Sequence, residues 1–402
     1  MPDRPPVWVT GQAVMAGGVA DLAAFDALLR RSESRASAFL AAPPWDPWLS
    51  ALPSAIAARA RRAARTASPA LRASVQVAVA AVLSAGDAAL EGADIGLVVA
   101  GSNLLLGRAF QAFEKFQQEP AYLSPRHGYE FYDTHVMGVI AETLGLHGPG
   151  MTVGGASASG NVAVGVALDL IRAGRAQACL VVGPLPDLSP AEIHALRAMG
   201  ALAPPDQPCR PFDRAASGFV PGQACAAVLL EAADRARARG AGSLAVLAGA
   251  SWVQGANHLP APDAEGELRA MAGALRDAGI GVGDLDLISA HATSTPAGDA
   301  AECEAIRHLL GGRRRDVAVN APKSLFGHAL HAAGVVELVA LIRQIQGGFI
   351  HGTANLADPI ADDLWLVGPE TIARPIRYGL SNAFGFGSIA ASIVVRSAED
   401  RT

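Results

Sequence analysis

The strongest constraint in this sequence is an alternation. Short apolar runs bounded by glycine recur between longer alanine-rich windows with a helical period. The runs fall at 95–100, 178–182, 224–230, 244–248, 285–291, 317–320 and 389–395; the helical windows fall at 69–85, 158–173, 264–278, 298–310 and 332–346. Short apolar runs with no polar alternation read as strands covered on both faces. Strand–helix alternation repeated this often predicts an α/β protein whose mainly parallel sheets are buried under helices. The stretch 107–135 shows no clear period and carries Tyr129, Phe131 and Tyr132, so it reads as a lid or a partner contact.

Composition excludes several classes. A chain of 402 residues that is 51% hydrophobic and 17% charged buries a large core. The net charge is −5, and apart from Arg313, Arg314 and Arg315 the basic residues are scattered, which argues against nucleic acid or a membrane surface as partner. The polar start, residues 1–6, runs straight into a strand-like segment at 7–11, so no signal peptide is expected, and no apolar run reaches the length of a membrane span. The cysteines, Cys179, Cys209, Cys225 and Cys303, are far apart and form no CxxC pair. They read as small core residues in a reducing compartment, with no disulfide and no metal, and the expected location is cytoplasmic.

Four motifs stand at the mouths of expected strands. In "GGASASGNVAV", 154–164, a strand-like run meets two glycines, and Ser157 opens an apolar helix. A side chain there sits beside free N–H groups at the positive end of the helix dipole. The residues alone leave open whether Ser157 caps the helix, acts as a nucleophile, or stands in for one. In "HATSTPAGDAAE", 291–302, His291 ends an apolar strand, and Thr293 and Thr295 alternate along an extended segment that can hydrogen-bond an elongated ligand. In "APKSLFGHALHAAG", 321–334, Lys323 and His328 flank a glycine before an apolar helix. A buried lysine needs a partner, and Glu302 is the expected one. In "SNAFGFGS", 381–388, Phe384 and Phe386 lie between glycines and read as a flexible aromatic turn that gates a cavity. The strand–turn–helix order at Ser157 is echoed at 317–334, which suggests two related halves, 1–245 and 246–402.

Taken in order, Ser157, His291, Lys323, His328 and Phe386, with the blocks "PFDRAASGFVPGQ", "HATSTPAGD", "KSLFGHALHAAG" and "SNAFGFG", resemble the β-ketoacyl synthases of the thiolase superfamily over nearly the whole chain. The resemblance implies a five-layered αβαβα sandwich of two related halves. It also implies a dimer, with a second copy or with another ketosynthase, and substrates carried on the phosphopantetheine arm of an acyl carrier protein, with no bound cofactor. In that family a cysteine occupies the position of Ser157, and the two histidines and the lysine match His291, His328 and Lys323. The backbone donors to the oxyanion match Ser157 and Phe386, and the pantetheine contacts match Thr293 and Thr295, with Phe384 beside them.

Serine in place of cysteine changes the expected chemistry. A cysteine at a helix N-terminus becomes a thiolate near neutral pH, whereas a serine hydroxyl needs a dedicated base. Condensation is therefore expected to fail, while decarboxylation of a malonyl thioester, which needs no nucleophile, survives. "VGGASASGNVAV" further resembles the serine-bearing, stand-alone ketosynthases of polyketide β-branching cassettes, which supply acetyl-carrier protein to a hydroxymethylglutaryl-synthase-like enzyme. Two rivals remain: a non-catalytic partner of the chain-length-factor kind, and an acyltransferase or condensing enzyme that uses Ser157. Ala292 replaces a family glycine, the turn after Phe386 departs from the family pattern, and "SNLLL", 102–106, replaces a glycine-rich stretch. Leu104 and Leu105 are expected to fill the acyl tunnel.

Overall fold

The computed structural model describes residues 5–91 and 95–398; of the polar start, Met1–Arg4 lie outside them. Eleven strands join in one sheet: β1 (Val7–Met15), β2 (Gly96–Ala100), β3 (Gly150–Val153), β4 (Ala178–Gly183), β5 (Cys225–Ala232), β6 (Ala245–Gln254), β7 (Leu287–Ser289), β8 (Ala318–Asn320), β9 (Trp365–Leu366), β10 (Tyr378–Gly385) and β11 (Ile389–Arg396). Their order is β9-β8-β7-β10-β11-β6-β1-β5-β4-β2-β3. The helices that frame them include α1 (Pro69–Ser84), α2 (Leu106–Gln118), α3 (Thr134–Leu144), α4 (Ser159–Arg172), α5 (Pro190–Ala198), α6 (Ala264–Ala278), α7 (Pro296–Leu310) and α8 (Ala333–Gly347).

Both halves of the sheet follow one plan. From β1 outward, β5 and β4 pair antiparallel, and β2 and β3 then add parallel. From β6 outward, β11 and β10 pair antiparallel, and β7 and β8 add parallel, with β9 as one further parallel strand. The two halves meet where β1 pairs antiparallel with β6. The fold is thiolase-like.

Five layers follow from where the apolar faces go. Helices α4 and α8 pack against strands of both halves and form the central layer. Helices α1 and α3 cover the outer face of the first half; α6, backed by α7, covers that of the second. The central helices are mostly apolar, as burial between two sheets requires: Val162, Val164 and Leu168 on α4 and Val335, Val336 and Leu338 on α8 are all buried. The helices cross at glycines. A Cβ at Gly160 would lie 2.7 Å from Val335 N, and one at Gly334 would lie 2.7 Å from Asn161 N, so neither position admits a side chain. This crossing places the starts of α4 and α8 side by side.

Two expectations need correction here. The stretch 107–135 contains α2, whose side chains are partly or fully exposed, with Phe113 57% and Phe116 49% accessible, so its register points apolar residues outward. Most of "SNAFGFGS" is not a turn: Ser381–Gly385 completes β10, and only Phe386, Gly387 and Ser388 reverse the chain before β11.

Candidate active site

The strand ends converge on one cavity of about 720 Å³ that Ser157, His291, His328, Thr293, Phe384 and Phe386, among others, line. Ser157 sits in the tight turn between β3 and α4. The preceding residue, Ala156, has φ of +47°, a left-handed conformation unfavourable for a residue with a Cβ. The turn is locked by Ser159, whose hydroxyl accepts from Gly155 N at 2.8 Å and donates to Ala156 O at 2.7 Å. The end of β10 presses on the same turn: a Cβ at Gly385 would lie 2.4 Å from Gly155 O and 3.1 Å from Ser157 N. This approach places the backbone at Phe386 beside that at Ser157.

Ser157 Oγ lies 2.9 Å from His328 Nε2. The His328 ring stands edge-on to His291, with centroids 5.5 Å apart, and to Phe219 at 5.1 Å. Its other nitrogen, Nδ1, has no hydrogen-bond partner among the described residues. His291 packs against Phe384 at 5.6 Å between centroids. Its Nδ1 lies 3.2 Å from Lys323 Nζ, and Lys323 is itself fully buried. An ammonium only donates, so His291 Nδ1 accepts and its single ring proton sits on Nε2. Burial lowers both imidazoles well below their usual value, with Lys323 acting in the same direction, so both are neutral near pH 7.

The lysine's partner is Glu337, not Glu302. Lys323 Nζ bonds Glu337 Oε1 at 2.5 Å, and both groups are buried. Glu302 is occupied elsewhere, accepting from the backbone of His291 at 2.9 Å and of Ala292 at 2.7 Å and from Asn382 Nδ2 at 3.0 Å. Its role is to hold the strand end that carries His291. The sequence hid Glu337 because it sits one turn inside α8, although a lone acid in an apolar helix was a usable signal.

Thr293 and Thr295 line the cavity and share a hydrogen bond of 2.8 Å. Phe384 is buried in the wall, whereas Phe386 is 46% exposed at the rim. Leu104 and Leu105 do not fill the cavity. Both turn into the outer core with α1 and α3, because Asp133 accepts from the backbone of Asn103 and Leu104 at 2.9 and 2.8 Å and fixes the loop; Leu106 faces the cavity instead. Cavity residues not legible as such in the sequence include His331, the second histidine of "KSLFGHALHAAG", and Glu267 on α6. The four cysteines are buried free thiols; burial pushes Cys179, Cys209 and Cys225 up to about 12, so none serves as a nucleophile.

The chain matches the model for the β-ketoacyl synthase N-terminal domain over residues 4–236 and that for the C-terminal domain over residues 244–357. It belongs to the β-ketoacyl synthase family. It is a ketosynthase-family enzyme similar to the polyketide biosynthesis malonyl-ACP decarboxylase PksF of Bacillus subtilis (strain 168), with 36% identity over 322 residues, 78% of this chain and 77% of the relative. Among solved structures, the ishigamide ketosynthase/chain length factor superposes with a TM-score of 0.86 at 26% identity, covering 98% of this chain and 100% of the other. The ketosynthase assembly AntDE:AntF, a type II polyketide synthase acyl-carrier protein in complex with its hexaketide-bound ketosynthase, gives a TM-score of 0.83 at 26% identity, covering 98% and 100%. Among the described residues no helix is long and apolar enough to cross a membrane.

Proposed function

We propose that this ketosynthase-family enzyme decarboxylates malonyl-acyl carrier protein to acetyl-acyl carrier protein, in the β-branching step of polyketide assembly, and does not condense. The observation that carries the reading is what stands behind each histidine. In a Ser-His-acid triad the serine is activated by a histidine base whose far nitrogen an acid holds. Among the described residues no acid bonds His328 Nδ1, and behind His291 there is a cation. Both imidazoles are therefore weak bases, and His291 is fixed as a donor through Nε2.

Such donors suit an enolate. With the carrier arm along Thr293 and Thr295, the thioester carbonyl lies between His291 and His328. Cleavage of the bond to the carboxyl carbon releases carbon dioxide and leaves the electron pair on the enolate, which the imidazole N–H groups stabilise. The phenyl rings of Phe219, Phe384 and Phe386 disfavour the charged carboxylate and favour the neutral gas. Protonation at carbon then gives the acetyl thioester. Ser157 supplies its hydroxyl and backbone N–H to the site without becoming acylated. Support for a carrier-borne substrate comes from the PksF likeness. A dimer is part of the same reading: β3 leaves one edge of the sheet unpaired, and Phe131 and Tyr132, just ahead of α3, are exposed.

Intact-protein mass spectrometry of malonyl-loaded carrier protein tests this. The wild type is expected to convert it to the acetyl form, and His328→Ala to do so about 100- to 1000-fold more slowly, the usual cost of one preorganised donor. No conversion with several carrier proteins points instead to a non-catalytic partner subunit. A stable acyl adduct on Ser157 points to an acyltransferase.

A further inference from the structure

His331 is a cavity residue that the mechanism above does not use. Its ring is wedged in place. Nε2 lies 3.1 Å from the carbonyl of Pro184, just past β4; a carbonyl only accepts, so Nε2 carries the proton and the ring is anchored. On its other side, a Cβ at Gly101 would lie 2.9 Å from the ring's Cγ, and Gly101 itself has φ of +118°. The end of β2 therefore comes as close to the imidazole as a backbone can. The short turn Leu330–Ala332, which carries His331, packs against Ala156–Ala158, while the ring itself meets Pro184 and Gly101 on the side of the first half of the sheet, in the wall of the cavity that Ser157 also lines. Thr293 and Thr295 belong to the opposite wall, from the second half.

We infer that His331 sets the length of the acyl group this cavity accepts. The inference rests on the reading that a carrier arm enters along the two threonines. A short acyl group ends at Ser157; a longer alkyl chain would continue into the space the imidazole fills. The wall around that space is also interrupted by polar groups, since Ser102, Asn103 and Asp187 line it with His331 beside Leu106 and Leu188. Asp187 is held there by Arg108 N at 3.1 Å, and a Cβ at Gly107 would collide with it at 2.5 Å. The plug is a property of position 331, not of Leu104 and Leu105, which are buried in the outer core.

The test is direct binding, with no turnover required. Dissociation constants of acetyl-pantetheine and hexanoyl-pantetheine are measured by equilibrium dialysis with the full chain, as wild type, His331→Ala and His331→Phe. The wild type and His331→Phe, which both keep a ring, are expected to favour acetyl by about tenfold or more. In His331→Ala the hexanoyl compound is expected to gain at least about tenfold, at the lower end of what methylenes are worth in a fitted site. Equal binding of both compounds by the wild type overturns the inference even if His331→Ala fails to fold, and so does an unchanged preference in a folded His331→Ala. Size selection without any release of carbon dioxide from malonyl-carrier protein overturns the decarboxylase reading alone. Failure of both compounds to bind overturns both.

Discussion

At the scale of residues, the site is decided by one buried ion pair. Lys323 and Glu337 are taken wholly out of water, and burial pushes the Glu337 carboxyl up to about 7 against the opposing pull of Lys323. A buried pair of this kind adds little net stability, but removing one member leaves an unpaired charge that costs about 3–5 kcal/mol. Glu337→Leu is therefore expected to lower the unfolding free energy by about that much in chemical denaturation. The double variant Lys323→Met/Glu337→Leu is expected to recover most of it yet to remain impaired in turnover, because His291 Nδ1 loses its donor and its Nε2 is no longer held protonated. If the double variant is as unstable as the single one, the pairing is misassigned. Glu302→Gln offers a contrast: its carboxyl holds two backbone N–H groups, so its loss should displace His291 without stranding Lys323.

At the scale of elements, the sequence was most legible where a single physical rule governed. The helical windows 69–85, 158–173 and 332–346 match α1, α4 and α8 to within a residue or two, because each is a long apolar stretch with clear ends: Pro69 opens α1, and Gly348 closes α8 with φ of +62°. Helix α2 was illegible because its N-terminus at Leu105 has no side-chain cap and its phenylalanines face outward. Strand β10 was half hidden because the glycines of "SNAFGFG" signal a turn, whereas Gly385 is there to let the strand touch the Ser157 turn. The site residues themselves were legible as strand-end polar groups in apolar surroundings. Their pairing was not, since Lys323 reaches its acid 14 positions on, through the start of the next helix. The Gly385 contact yields an expectation. Gly385→Ala forces β10 and the Ser157 turn apart and should reduce turnover at least tenfold, with a stability cost of about 1–3 kcal/mol. Gly312→Ala, where a Cβ meets nothing within 4 Å, should change neither. Equal activity of the two variants would refute the claim that this contact sets the site.

At the scale of the whole molecule, the buried titratable groups pull stability in opposite directions with pH. Burial lowers His291 and His328 well below 6.5 and His331 and His351 to about 4, so the native state binds fewer protons than the unfolded chain, and stability is lost as pH falls below 6.5. Burial raises Asp299 and Glu337 to about 7 and Glu267 to about 10, with the carboxyls around Glu267 adding to its shift. Here the native state keeps protons that the unfolded chain has released, so stability is lost as pH rises from the unfolded carboxyl value toward the folded one. Glu267 has the widest such window. It is 5% exposed, its Oε2 has no hydrogen-bond partner, and it lines the cavity near Glu302. Glu267→Gln keeps the shape but binds no proton in either state. Its melting temperature should match that of the wild type below the unfolded carboxyl value of 4.5, where the wild-type carboxyl is protonated both folded and unfolded. The variant should then rise above the wild type by an amount that grows with each unit of pH up to about 10. Thermal unfolding of both proteins from pH 5 to pH 9 measures the gap. A gap that stays constant with pH would mean that Glu267 is ionised in the folded protein, and that the cavity wall carries a charge where this structure places a neutral acid.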